Sequence, residues 1–276
     1  MKAQPSDSQL RSLVAYYALT IVFSWSVYLP LVAVKQGWVD WQIPFAIHYL
    51  AAFGPMLAAF IVTAATGGMP GLQELWGRMT RWRVGWNWFL FSTLSPVAVF
   101  LLTIPVVRLV KGVWPDLRLL GQANYLPYLG LWVLPVWVAT YGFGEETGWR
   151  GFALPRLQAS MSATRATLIL GLMWAFWHTP AFFYLDTFEE MGLVILPGFL
   201  IGVLCGAVIF TWIYNGTGGS VLMVALWHGI FDLLTASKAG QDIIPIIMSA
   251  LVIAGALFIT NVQTPWNFYH VQKQSL

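Results

Sequence analysis

A chain of 276 residues that is 58% hydrophobic and only 9% charged cannot hide its apolar surface in a water-soluble core; soluble domains carry roughly 25% charged residues. The net charge of +3 comes from dispersed basic residues that serve topology, so no nucleic-acid partner is expected, and the single cysteine, Cys205, excludes internal disulfides and cysteine-based metal clusters. The expected architecture is all-α, a polytopic membrane helix bundle forming one integral domain over residues 1–276.

In chain order, stretches without any charged residue cover 12–34, 41–73, 84–107, 119–144, 166–185, 191–231 and 243–272. A helix needs about 20 apolar residues to cross a bilayer. Six of the runs hold one span each, and 191–231 holds two, divided at the turn "NGTGGS" (215–220). The reading is eight spans. The first run is too long for a signal-peptide core and is taken as a retained span. Between the second and third, "LQELWGRMTRWR" (72–83) places Leu72, Leu75, Trp76, Met79 and Trp82 at helical spacing away from Arg78, Arg81 and Arg83. That pattern predicts an amphipathic helix lying in the interface. "LDTFEE" (185–190) reads as a solvated acidic loop, and the tryptophans read in part as interfacial belts.

Basic residues set the expected orientation. Lys2, Arg11, Arg78, Arg81, Arg83, Arg150, Arg156, Arg165 and Lys273 fall at the termini and even-numbered loops; Lys35, Arg108, Lys111, Arg118 and Lys238 fall in the odd ones. Both termini are therefore predicted to be cytoplasmic.

Against this background five titratable side chains stand at membrane depth: Glu145, Glu146, His178, His228 and Asp232, with Arg150 beside them. Such groups are expensive in a bilayer and tend to mark function. Glu146 and Arg150 are four apart with the carboxylate first, the favourable order for an ion pair on one helix face. Glu146 then serves as a structural counter-ion, and Glu145, with no partner within a turn, is left free as a general base. His228 and Asp232 are also four apart, and Trp174 lies one turn before His178 as an aromatic platform. "LMWAFWH" (172–178) and "LMVALWH" (222–228) echo one another and suggest that the two histidines lie at similar depth. His48 and His270 read as ordinary histidines. The site residues lie on spans four, five and seven, so those spans must pack together. Ser220 reads as the N-cap of span seven, not as a nucleophile. Spans one, three, six and eight offer no titratable side chain, which disfavours a proton-coupled transporter; a non-catalytic membrane scaffold is the other alternative.

The motifs themselves resemble a known family. "EETGWR" fits the E-E-x-x-x-R signature of the CPBP family, the type II CAAX prenyl endopeptidases and their bacterial relatives, with "WAFWH" similar to the second motif, usually F-x-x-x-H, and "HGIFD" to the third, H-x-x-x-N or D. The motif-bearing core is about 125–235. The resemblance implies an intramembrane endopeptidase in a bacterial plasma membrane, cleaving a prenylated C-terminus, a leader peptide or a membrane protein. It implies that Glu145 activates water with His178 beside it, that Glu146 and Arg150 hold the site together, and that His228 and Asp232 stabilise the oxyanion. Trp174 stands where the family has Phe, and Asp232 where prenyl-processing members have Asn. An ionised Asp would repel an oxyanion, so Asp232 must be protonated, bonded to His228, or bound to a cation. A zinc version would use Glu145, His178 and His228 as a His₂Glu set; the metal-free version, with no cofactor, is preferred because little supports the histidines from behind.

Overall fold

The computed structural model describes residues 7–123, 129–186, 188 and 196–262, and all the regular elements among them are helical. Lys2, Lys273, His270, Glu189 and Glu190 lie outside the described residues. Six helical stretches are long and apolar enough to cross a membrane: Asp7–Lys35, Phe45–Met79, Trp86–Lys111, Ala163–Phe183, Leu196–Gly216 and Ile244–Asn261. The chain is an integral, multi-pass membrane protein.

The eight expected spans are thus not all matched by helices of crossing length. Seven α-helices are labelled here in chain order with the pieces between them: α1 Asp7–Lys35, α2 Gly54–Met79, α3 Trp86–Lys111, α4 Val133–Trp137, two π-helical stretches π1 Val138–Glu145 and π2 Thr147–Ala153, α5 Leu154–Ser160, α6 Ala163–Trp177, α7 Leu196–Gly216, and two more α-helices, α8 Val221–Ala236 and α9 Ile244–Val262. The predicted fourth span is the broken series α4 to π1, and the seventh is the 16-residue α8. Both are walled in by other helices: α8 packs on π1 and α3, and π2 packs on α2. A segment enclosed by protein has no need of an unbroken apolar helix, because neighbours satisfy its irregular backbone.

The segment read as a separate interfacial helix is continuous with α2. Gly68 takes φ 56° and ψ −150°, and Pro70 follows. Glycine tolerates the positive φ, and proline withholds a helical N–H, so the two together bend the helix there. Beyond the bend Leu75 and Met79 are buried while Trp76 is exposed, so the amphipathic pattern is present. The turn before α8 forms as read: Gly218 and Gly219 have positive φ, and the Ser220 hydroxyl caps the helix by accepting from Met223 N at 3.2 Å.

Tryptophans divide by place. Trp38, Trp41, Trp82, Trp86, Trp114 and Trp132 are exposed and sit at or beyond helix ends. Trp137, Trp149, Trp174, Trp177 and Trp227 are buried around the motif segments. The belts account for the first group only.

Candidate active site

The "EETGWR" motif lies where one π-helical stretch gives way to the next, from Val138 to Ala153. π-turns are rare and concentrate at functional sites. Glycines let neighbouring helices close on this segment. A Cβ on Gly142 would come within 2.7 Å of the Ala225 carbonyl of α8, and one on Gly144 within 2.6 Å of the Ala52 carbonyl before α2. Small residues at such contacts are what let membrane helices approach closely. The motif is therefore clamped on both sides, and Glu145, Glu146 and Arg150 are all essentially sealed from solvent.

Glu146 is the centre of a charged network. Arg150 Nη1 lies 2.9 Å from its Oε2 and 3.0 Å from its Oε1, and His228 Nδ1 donates to Oε1 at 2.9 Å. Arg150 is sandwiched by rings, its guanidinium carbon 4.8 Å from the Trp174 centroid and 4.7 Å from that of Phe210. Its Nε and Nη2 have no hydrogen-bond partner. Two aromatic faces stand where those donors would otherwise need acceptors, and a desolvated cation–π contact is worth about 2 kcal/mol.

Glu145 departs from its expected isolation. Its Oε2 accepts the indole N–H of Trp174 at 2.8 Å, from a different helix. The carbonyl of the same Trp174 accepts from His178 Nδ1 at 2.8 Å. A carbonyl can only accept, so the proton sits on Nδ1, and in a neutral His178 Nε2 carries the lone pair. The Trp174 ring is 5.5 Å from the His178 ring and 5.7 Å from that of His228. One residue thus touches Glu145, Arg150 and both histidines. Sequence reasoning treated it only as a platform; the signal was its replacement of the family's Phe, since only the indole adds an N–H.

The three segments do converge: π1 meets α6 through Glu145 and Trp174, and meets α8 through the Glu146–His228 bond. The two histidines take different places in their helices. His178 caps the far end of α6, whereas His228 is midway along α8. Asp232 is half-buried, its Oδ2 3.5 Å from His228 Nε2. His48 is an ordinary buried histidine bonded to the Tyr141 hydroxyl at 2.8 Å.

The His₂Glu zinc set would draw on Glu145, His178 and His228. His228 commits Nδ1 to Glu146, which leaves Nε2, 3.5 Å from Asp232 Oδ2, for any further partner. Among the described residues, no three His, Cys, Asp or Glu side chains are grouped to hold a metal ion.

Residues 127–234, which contain all three motifs, match the family described as type II CAAX prenyl endopeptidase Rce1-like. The chain is also 26% identical over 143 residues to a protein named CAAX prenyl protease 2 from Methanococcus maripaludis, an alignment covering 50% of this chain and 48% of that one. It therefore spans about half the length of that relative. With the paired glutamates, the arginine and the two histidines gathered around Trp174, the motif-bearing part of this chain is similar to the CAAX-type, Rce1-like endopeptidases.

Proposed function

We propose that the protein is an intramembrane endopeptidase in which Glu145 and His178 activate a water molecule without a metal. The observation that carries this reading is the shared anchorage of the two side chains on Trp174. Glu145 removes a proton from the water, while the Nε2 lone pair of His178 orients it. The new hydroxide adds to the scissile carbonyl, and the proton held by Glu145 passes to the leaving amine as the C–N bond breaks. His228 acts as an imidazolium: Glu146 holds its Nδ1 proton, and its Nε2 proton, steadied by Asp232, is donated to the oxyanion. Preorganised donors of this kind carry large leverage in a dry site. The substrate is a peptide reached from the membrane: a prenylated C-terminus, a leader peptide or a membrane protein, cut at the cytoplasmic side. The name of the archaeal relative and the apolar bundle support the first.

The test is cleavage of prenylated and unprenylated peptides by purified protein, with and without a strong chelator, beside metal analysis. Turnover should survive chelation and should vanish in His178→Ala. Stoichiometric zinc together with loss of activity on chelation would replace the metal-free mechanism.

Trp174→Phe keeps the ring under Arg150 and deletes only the N–H. Losing a hydrogen bond to a charged group costs about 1.5–3 kcal/mol, so kcat should fall at least about tenfold with KM little changed, and the thermal midpoint should drop by roughly 3–12 °C. An unaltered kcat would show that Glu145 does not depend on this donor.

A further inference from the structure

Away from the motifs, a cavity of about 1170 Å³ opens between the first turns of α1, the bent part of α2 and the start of α5. Five charged side chains line it: Asp7, Arg11, Glu74, Arg78 and Arg156. Three cations face two anions. Glu74 is taken by Arg78, which also donates to the Gly151 carbonyl at 2.6 Å. Arg156 donates to the Phe152 carbonyl at 3.1 Å and lies over the Phe152 ring. Neither Arg11 nor Arg156 has a carboxylate at ion-pair distance among the described residues. Burial, and then the neighbouring Arg78, lower the Arg156 pKa to about 10, which leaves it protonated at neutral pH. Arg156 therefore stands close to Arg78 with Glu74 nearby, and Arg11 lines the same cavity.

The cavity continues away from this charged rim along apolar wall, with Leu19 of α1 and Ile61 and Val62 of α2. Exposed Trp76 and Trp82 flank the same end of α2 and mark the level of the headgroups. A ligand that fits has an anionic head and a hydrocarbon tail. We propose that this cavity binds an anionic phospholipid, its phosphate meeting Arg11 and Arg156 and an acyl chain lying between α1 and α2. Basic pockets between membrane helices take lipid headgroups in this way. The lipid would also abut Gly151, the neighbour of Arg150, through Arg78.

Native mass spectrometry of the full chain in detergent, offered equal phosphatidylglycerol and phosphatidylcholine, tests this. One phosphatidylglycerol should be retained in preference, and Arg11→Gln and Arg156→Gln should each weaken that preference roughly fivefold, with Arg83→Gln, outside the cavity, as control. Arg11 is exposed, so its variant reads the site even if Arg156→Gln folds poorly. Equal retention of the two lipids, or a preference that survives both substitutions, would overturn the proposal. Displacement of the lipid by inorganic phosphate at equal concentration would assign the site to a free anion. A raised KM for peptide with lipid retention unchanged would assign it to a substrate carboxylate.

Discussion

Glu145→Gln is expected to abolish peptide cleavage in a protein that still inserts and folds. The amide is nearly isosteric with the carboxylate, and its oxygen can keep the bond that Trp174 N–H now makes at 2.8 Å. Packing around this sealed position should therefore survive. The amide cannot take a proton, so water activation and protonation of the leaving amine both lose their agent. General acid–base catalysis alone contributes about 10²- to 10⁴-fold, and here a single group performs both transfers. The measurement pairs single-turnover cleavage with a thermal melt on the same sample. Turnover within tenfold of wild type would remove Glu145 from the mechanism, and a membrane scaffold would then account for the fold. A collapsed melting curve would instead make Glu145 a structural group.

How much of this could be read in the sequence depends on what each residue faces. Charge-free runs located the helices that meet lipid, because a lipid-facing helix must be long and apolar. At α4–π1 and α8, where the surroundings are protein, they gave no sign that the helices are broken or short. Uniform apolarity there says nothing about breaks or π-turns. The Glu146–Arg150 pair was readable because the two residues are four apart, and it forms even though the segment is π-helical. The bonds from Glu145 to Trp174 and from Glu146 to His228 were not, since each joins residues far apart in the chain. The isolation assigned to Glu145 followed from looking only within one turn. Likewise the cavity beside α1 combines arginines from three separate segments whose only sequence trace is a scatter of basic residues.

The second large effect is expected at Glu146. Its two oxygens meet Arg150 and His228 in a site with no solvent, so Glu146→Gln leaves the guanidinium without its counter-charge. Removing one partner of a buried ion pair costs about 3–5 kcal/mol. The thermal midpoint should fall by roughly 5–20 °C, and activity should fall with it as one neutral amide oxygen is left to serve both Arg150 and His228. Stability and chemistry separate in the double variant Glu146→Met with Arg150→Met. Replacing both charges of a buried pair by apolar side chains of similar volume is often neutral, and the methionines would lie against Trp174 and Phe210, where the guanidinium now lies. The double variant should regain most of the lost midpoint and remain inactive. A Glu146→Gln protein with a wild-type midpoint and a purely kinetic defect would show that the carboxylate acts in the reaction itself, and a double variant no more stable than the single one would show that packing, not the unpaired charge, sets the cost.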